Sequence, residues 1–316
     1  MSRKGKSIMN MITKPMKAET CTDAGIDNIV DWPKLCSFKL DGWRGLILPG
    51  QGICTQSFKP LRNKFVRTWL NEHMWDTNLD GELVTFDGNG NLKEYNDIQS
   101  DLSAAAGEPD FRFMVFDWFG NPVTEFGWRS MEANRQIMKG KERVGEVEAC
   151  HLEFVRQKIC SNAIEVREFY ALALKSGYEG IIIRAPGAPY KSNRSTLKQE
   201  WMLKVKPWED AEGIIIGFEE LMHNTNEDTR SLHGTAKRSH SKLGMVPAGS
   251  LGKLIVATEQ WGEVSIGGGK GLTHALRQKI WDNQEDYKGK QIVFRYMAYG
   301  MKDKPRFPGF KGFRND

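Results

Sequence analysis

The chain lacks the features that mark disulfide-stapled, metal-scaffolded and membrane-spanning proteins. Its 316 residues include five cysteines, with no C-x-x-C pair and one thiol left over, so neither a disulfide framework nor a cysteine zinc site is indicated. No run of eighteen apolar residues occurs, and Asn10, Lys14 and Lys17 interrupt the basic start before the apolar core of a signal peptide can form. We therefore expect a reduced, cytoplasmic protein without export or a membrane span.

The sequence also has little net charge and no internal repeat or low-complexity tract. The net charge is +5, and 40% hydrophobic with 27% charged residues is typical of a folded globular protein rather than a disordered or fibrous one. A mild basic excess permits a polyanionic partner without demanding one. The length is sufficient for two compact domains, and we expect a monomer.

Two segments before residue 207 show the apolar spacing of amphipathic helices. In "LRNKFVRTWLNEHMW" the predicted apolar face consists of Leu61, Phe65, Trp69 and Leu70. In "AIEVREFYALALKSG" it consists of Ile164, Phe169, Leu172 and Ala173. Gly177 is the last residue of the second segment and stands where a glycine ends a helix.

Short apolar runs predict strands on both sides of residue 207. Before it, "LDGELVTF", "FRFMVFDWF" and "EGIIIRAP" alternate with the helices and predict a mixed α/β domain. After it, "AEGIIIGFEE", "GSLGKLIVAT", "GEVSIGGG" and "KQIVFRYMAYG" accompany a single helix candidate, "THALRQKIWDNQ". This second pattern suits an OB-like barrel, although other small barrels would also fit it.

The segment "CSFKLDGWRG" contains a candidate nucleophile, Lys39. A lysine amine attacks only when deprotonated, so burial or nearby cations must lower its pKa. The apolar neighbours of Lys39 offer partial burial, and Arg44 is such a cation. The Asp41-Gly42 pair predicts a turn, with glycine allowing a conformation that would strain other residues, which would hold Lys39 and Arg44 toward one ligand. Most lysines at strand edges are simply solvated, so the motif alone leaves both interpretations open.

Three carboxylates are equally ambiguous when each is considered alone. Asp80 and Glu82 lie two residues apart and therefore share one strand face, an arrangement common on protein surfaces. Glu179 stands just before an apolar strand, where a carboxylate can hold a metal or simply be solvated in a turn.

One aromatic residue and two lysines leave similar alternatives. Phe116 has the opposite strand parity to Asp117, and alone it fits a core residue better than a base-stacking platform. Lys204 and Lys206 share a strand face, while Leu203 and Val205 take the other. Two adjacent like charges indicate a face that is either fully exposed or directed at phosphate.

The order of these segments carries more information than any one of them. KLDGWRG, DGELV, FMVFD, EGIIIR and LKVKP follow one another as in the nucleotidyltransferase motif series of ATP-dependent DNA ligases and mRNA capping enzymes, which the chain resembles. Beyond that series, "SFKPLRNK", "YKSNRSTLK", "NTNEDT" with "AKRSHSKLG", and "KDKPRFPGFKGFR" resemble the minimal DNA ligases of large DNA viruses and phages, the chlorella-virus type. The resemblance covers nearly the whole chain.

This resemblance implies an α+β fold and a three-step reaction. An adenylation (nucleotidyltransferase) domain with mixed antiparallel sheets is expected over 1–207, followed by an all-β OB-fold domain over 208–316 with a DNA-clamping loop at about 222–245. Lys39 would take AMP from ATP with Mg²⁺ as the ion, AMP would pass to the 5′-phosphate of nicked duplex DNA, and the 3′-hydroxyl would then seal the strand. Both phosphoryl transfers depend mainly on positioning and on electrostatic stabilisation by cations.

The resemblance also implies the roles of individual residues. The residues expected to act in catalysis are Lys39, Lys204, Lys206 and Arg306. The residues expected to bind ATP or AMP are Ser37, Lys39, Arg44, Glu82, Phe116, Glu179, Arg194, Lys204 and Lys206. The expected metal ligand is Glu179, with Glu82 in second place. The residues expected to bind DNA are Lys59, Arg62, Lys237, Arg238 and Lys242.

One position departs from the family pattern, and other activities stay open. Near "SFKPLRN" the family usually has an arginine that contributes to nick sensing, whereas this chain has Gln56, which cannot carry the charge. The alternatives are an RNA ligase, a capping-type enzyme that uses GTP, and a non-catalytic module that only holds nicks. The long polar segment from His223 to Gly244 fits either a solvated insertion or the DNA clamp.

Overall fold

The computed structural model describes residues 12–230, 236–239, 241–301 and 303–314. The chain forms two compact units, which divide between Lys206 and Pro207. In the described ranges, every helix is too short or too polar to traverse a lipid bilayer.

The first unit combines strands and helices in its described part. Its strands are β1 Met16–Lys17, β2 Glu19–Thr20, β3 Lys34–Lys39, β4 Trp43–Leu48, β5 Gly52–Thr55, β6 Leu79–Thr85, β7 Phe111–Trp118, β8 Leu152–Phe154, β9 Lys158–Cys160, β10 Gly180–Arg184, β11 Asn193–Arg194 and β12 Met202–Val205. Its α-helices are α1 Lys64–Met74, α2 Tyr95–Ser103, α3 Phe126–Val144 and α4 Ala163–Lys175.

Two five-stranded sheets dominate this unit and confirm the expected mixed architecture. Their strand orders are β2-β12-β10-β3-β9 and β5-β4-β6-β7-β8, and most of the pairs are antiparallel. The parallel pairs are β12 with β2 and β7 with β8. β3 lies in one sheet and β4 in the other, so the segment Lys39–Trp43 crosses directly between the two sheets.

Both predicted helices form, but the apolar face of α4 was assigned wrongly. α1 buries Val66, Trp69, Leu70 and Met74 against the second sheet. α4 buries Val166, Phe169 and Ala173, whereas Ile164 is 68% and Leu172 48% exposed. The 3.6-residue period places positions 166, 169 and 173 on one stripe, and Ile164 and Leu172 fall to its sides. Gly177 follows α4 with φ +78°, as expected of the residue that ends a helix.

The second unit has an OB-like sheet with one strand more than the four predicted. Its elements are β13 Glu209–Asn224, β14 Asp228–Arg230, β15 Ala236–Arg238, β16 Met245–Thr258, β17 Gly262–Ile266, α5 His274–Asp282, α6 Gln284–Tyr287, β18 Gln291–Met297 and β19 Arg306–Phe313. The sheet order is β17-β16-β13-β18-β19, and a bridge from Gly268 to Gly309 links the region after β17 to β19. The additional strand is β19, which was not predicted because Pro308 and Gly309 interrupt its apolar pattern. A strand at the edge of a sheet tolerates such residues.

The long polar segment from His223 to Gly244 contains regular secondary structure in its described part. β13 continues to Asn224, β14 and β15 pair as an antiparallel hairpin, and β16 begins at Met245. The backbone N–H of Thr225 donates to the carbonyl oxygen of Gly244 at 2.8 Å and closes the base of the segment. Residues 231–235 and 240 lie outside the described ranges, as do the side chains of Lys237 and Arg238. Lys242 is exposed.

Candidate active site

A cavity of about 480 Å³ in the first unit collects most of the residues predicted to bind nucleotide. This volume lies within the range of small-molecule sites. The predicted residues in its lining are Ser37, Lys39, Arg44, Glu82, Phe116, Arg194 and Lys204. Gln56 also lines the cavity, so the glutamine that replaces the family's arginine lies at the same site. Glu179 is linked to the cavity by its contact with Lys39, and Lys206 in turn contacts Glu179.

Lys39 is held at the end of β3 by a buried carboxylate. Its Nζ donates to Glu179 Oε2 and, at 3.1 Å, to the carbonyl oxygen of Leu40. Glu179 is 1% exposed, and its Oε1 accepts from Lys206 Nζ, so one carboxylate bridges two lysines. The Lys39 side chain is 20% exposed and is therefore accessible from the cavity. This arrangement fixes the direction of the Lys39 amine while leaving it open to a substrate.

Two glycines beside Lys39 allow strands to approach closely. Gly180 has φ +148°, and a Cβ there would lie 2.1 Å from the carbonyl oxygen of Val205. A Cβ on Gly42 would lie 2.5 Å from the carbonyl oxygen of Leu83, although Gly42 does not adopt a positive φ. The expectation that Gly42 adopts a backbone conformation strained for other residues is therefore wrong. Glycine is needed here because the turn packs so closely against β6 that no Cβ fits.

Arg44 is oriented by a carboxylate whose role was not predicted. Its Nε and Nη2 donate to the two oxygens of Asp80 at 2.5 and 2.6 Å, and Nη2 also donates to the carbonyl oxygen of Met16 at 3.1 Å. Tyr190 Oη donates to the same carboxylate at 2.6 Å. The guanidinium lies 4.7 Å from the centre of the Phe116 ring. Asp80 thus fixes Arg44, and Arg44 in turn supports Phe116.

Glu82 faces Arg44 across the β4–β6 pair and has a strongly perturbed acidity. Burial raises the pKa of the Glu82 carboxyl to about 7, and the charges of Lys39 and Arg44 oppose this rise. A carboxyl group with such a pKa is poised between its protonated and ionised forms near neutral pH.

A fully buried ion cluster supports the floor of the cavity. Asp117 accepts from Arg129 Nε at 2.9 Å and from Arg184 Nη2, and both guanidinium groups pack against the Phe126 ring. Burial alone would raise the pKa of Asp117, but Arg184 and Arg129 hold it below its ordinary value. Side chains alternate between the two faces of β7, so Asp117 points into the protein interior and Phe116 points toward the cavity.

One wall of the cavity is cationic and includes a residue that the sequence patterns did not indicate. Lys17 pairs with Arg194 in the register of β1 and β11, and both line the cavity with Lys204. Burial lowers the pKa of Lys17 and of Lys204, and nearby Arg194 lowers both further. Within the described ranges no acidic side chain forms an ion pair with these three residues. Only the parallel pairing of two short, distant strands brings Lys17 here, and no local pattern encodes that pairing.

The predicted DNA-binding residues fall into separate places. Lys59 and Arg62 line another cleft of about 540 Å³ together with Lys64 and Arg67, and this cleft shares Trp43 with the cavity that contains Lys39. Like charges clustered in a cleft attract a polyanion. The side chains of Lys237 and Arg238 are outside the described part of the structure.

Arg306, the last of the predicted catalytic residues, belongs to the second unit. It begins β19, is partly buried, and its Nη1 donates to the carbonyl oxygen of Tyr299 at 3.1 Å. Its guanidinium carbon lies 5.3 Å from the centre of the Phe307 ring.

The acidic residues do not form a dedicated metal centre in the described ranges. Among those residues, no group of three or more His, Cys, Asp or Glu side chains is arranged to hold a metal ion.

Family models match both units of the chain. The model described as ATP dependent DNA ligase domain matches residues 15–206, and the model described as DNA ligase OB-like domain matches residues 244–314. The DNA ligase of African swine fever virus is 26% identical over 141 residues, which are 44% of this chain and 31% of that protein. The match thus spans about a third of the curated relative's length.

Solved structures agree with this assignment. Chlorella virus DNA ligase-adenylate is 28% identical, with a TM-score of 0.54 and coverage of 97% of this chain and 99% of the other. A Lig E DNA ligase has a TM-score of 0.68 at 21% identity and covers 96% of this chain and 100% of its own, which shows the shared fold.

Proposed function

Because the chain belongs to the ATP-dependent DNA ligase family, we propose that it seals nicks in duplex DNA by joining a 3′-hydroxyl to a 5′-phosphate through AMP carried on Lys39. One observation carries the proposal: Lys39 opens into a nucleotide-sized cavity while a buried carboxylate, Glu179, fixes its amine. This is the arrangement that a positioned nucleophile requires.

In the first step Lys39 Nζ attacks the α-phosphorus of ATP. A P–N bond forms, the P–O bond to pyrophosphate breaks, and Nζ loses a proton, for which Glu179 Oε2 is the nearest carboxylate acceptor. Lys204 and Lys206 stabilise the charge that develops on the α-phosphate oxygens. The role of Arg306, which the family resemblance assigns to orienting the leaving pyrophosphate, stays a prediction.

The adenosine part of the substrate fits the polar and aromatic residues of the cavity. Phe116 supports one face of the adenine, with its own position maintained by Arg44. Ser37 lies at the adenine edge. Glu82 hydrogen-bonds a ribose hydroxyl, and with a pKa of about 7 it can donate or accept in that bond. Arg44 interacts with the ribose and 5′-phosphate region.

In the second and third steps the AMP moves to the DNA and is then displaced. An oxygen of the nick 5′-phosphate attacks the AMP phosphorus, the P–N bond breaks, and Lys39 regains its proton. The 3′-hydroxyl oxygen then attacks the activated 5′-phosphorus and loses its proton to solvent, a phosphodiester P–O bond forms, and the P–O bond to AMP breaks. Lys17 and Arg194 bind the 5′-phosphate and supply the positive charge that Gln56 lacks.

Mg²⁺ is the ion proposed for this site, where one protein carboxylate would hold it together with the phosphates of the substrate. Glu179 would supply that carboxylate, with Glu82 as the second choice, because Mg²⁺ needs few protein ligands. When bound, the ion would neutralise charge on the phosphates and on the leaving pyrophosphate.

Nicked duplex DNA contacts three basic regions in this proposal. These are the cleft with Lys59 and Arg62, the cationic wall of the cavity, and the hairpin segment with Lys237, Arg238 and Lys242. A monomer in the cytoplasm stays a prediction.

The test uses α-labelled ATP with Mg²⁺, followed by mass mapping of the acid-labile AMP adduct and by ligation of nicked substrates. We expect label on Lys39, none in Lys39→Ala, and sealing of nicked DNA with ATP. A preference for nicked RNA would instead identify an RNA ligase, and a preference for GTP would identify a capping-type enzyme. Nick binding without any adduct would identify a non-catalytic module.

A further inference from the structure

Gln157 lies on the segment that crosses between the two sheets beside the cavity that contains Lys39 and Phe116. On one side, the Val155 N–H donates to the carbonyl oxygen of Val115 at 2.7 Å, next to Phe116. On the other side, Lys158 pairs with Cys36, next to Ser37. The backbone is therefore anchored both to the strand that carries the stacking ring and to the strand that ends in Lys39. Gln157 and Val155 both line the cavity.

The side-chain amide of Gln157 is fixed in one orientation. Its Nε2 donates to the carbonyl oxygen of Val155 at 2.9 Å. Turning the amide over would bring two oxygens together and lose this hydrogen bond. Its Oε1 is buried and has no hydrogen-bond partner among the described residues. A buried acceptor without a donor is unfavourable, so a ligand that donates a hydrogen bond here would be selected.

We propose that Gln157 reads the exocyclic amino group of adenine, with Oε1 accepting a hydrogen bond from N6. The assignment rests on the proposed use of ATP. Adenine presents a donor at its 6-position, whereas guanine presents an oxygen acceptor, which would face Oε1 without a proton between them. Ser37 is 4% exposed on the adjacent strand, but its hydroxyl can donate or accept. Gln157 is therefore the residue of this wall that distinguishes ATP from GTP.

The experiment measures the second-order rate constant for formation of the Lys39 adduct in a single turnover, which serves as kcat/KM for this step. It compares three nucleotides: ATP, purine riboside triphosphate, which lacks the 6-amino group, and GTP. Wild-type protein should use purine riboside triphosphate with a kcat/KM about ten- to hundredfold below that for ATP. Gln157→Leu keeps the approximate size of the side chain and removes the acceptor. This variant should lower kcat/KM for ATP to nearly the value for purine riboside triphosphate. Its kcat/KM for purine riboside triphosphate should stay within about twofold of the wild-type value, and its ratio of kcat/KM for ATP to that for GTP should be smaller than in the wild type.

Gln56→Leu is the matched control, because it removes a second glutamine from the same cavity. The ratio of ATP to purine riboside triphosphate should stay as in wild type. Equal losses for both nucleotides in Gln157→Leu would assign Gln157 a structural role and overturn the proposal, as would wild-type protein that uses the two nucleotides equally well. Wild-type protein that forms no adduct with any nucleotide would overturn the proposed function as well, so the two failures are distinguishable.

Discussion

Substitution of Glu82 by glutamine should make the protein more stable at alkaline pH, although it removes a proposed ATP contact. Burial raises the pKa of Glu82 from 4.5 to about 7 in the folded protein. The folded state therefore binds a proton more tightly than the unfolded state between these values. The contribution of this group to stability is complete below pH 4.5 and is lost as the pH rises through 7. The difference between the two pKa values corresponds to about 3 kcal/mol in the free energy of unfolding. Glutamine does not titrate and removes this loss.

The assay is urea unfolding, followed by tryptophan fluorescence, of protein freed of AMP with pyrophosphate. At pH 5 the free energies of unfolding of the wild type and Glu82→Gln should differ by less than about 1 kcal/mol. At pH 8.5 the variant should have the larger free energy of unfolding, by up to about 3 kcal/mol. Groups that titrate in both proteins cancel in the difference. Glu72→Gln, which changes an exposed carboxylate on α1, should follow the wild type at both pH values. A difference between Glu82→Gln and wild type that is the same at both pH values would refute the reasoning.

Three further substitutions test other parts of the molecule. Lys17→Ala should slow AMP transfer from adenylated protein to a nick by about tenfold, more than it slows adenylation, and should lower the salt dependence of nick binding by about one charge; a larger effect on adenylation would assign the cationic wall to ATP. Asp80→Ala leaves the buried charge of Arg44 and the hydroxyl of Tyr190 without their partner and should cost about 3–5 kcal/mol in urea unfolding; a cost below 1 kcal/mol would contradict the role given to Asp80. Residues 226–243 can be replaced with a short glycine linker, because the hydrogen bond between Thr225 and Gly244 brings the two ends of the segment together. The replacement should weaken nick binding and reduce its salt dependence without slowing adenylation. Unchanged nick affinity would exclude the DNA clamp.

Residues whose placement follows from local alternation were predictable from sequence. Asp117 and Phe116 lie on opposite faces of β7, and Leu203 and Val205 are buried as their parity requires. The motif order also predicted which residues share a site, since Lys39, Glu82 and Phe116 meet around one cavity.

Residues placed by long-range pairing were not predictable. Lys17 reaches the cavity through a parallel pair of two-residue strands, 177 positions apart in register. The partner of Arg44 is Asp80, because β4 and β6 are antiparallel neighbours in the same sheet. The face of α4 was wrong because Ile164 and Leu172 are apolar residues beside a stripe that Val166, Phe169 and Ala173 occupy. Apolar character alone does not determine which residues of a helix face a sheet.

The buried polar atoms carry information that sequence patterns do not. The open hydrogen-bond capacity of Gln157 depends on the fixed orientation of its amide and on two anchors in different sheets. Likewise, the bridging of Lys39 and Lys206 by Glu179 depends on Gly180 allowing β10 and β12 to approach closely. Both features follow from the assembled sheets rather than from any one segment.

The central claim is that Lys39 is the residue that carries AMP. Incubation with α-labelled ATP and Mg²⁺, followed by peptide mass mapping, tests it most directly. The proposed mechanism predicts a single acid-labile AMP adduct on Lys39, its absence from Lys39→Ala, and its discharge when nicked DNA is added. An adduct on another residue, or one that persists in Lys39→Ala, would contradict the mechanism.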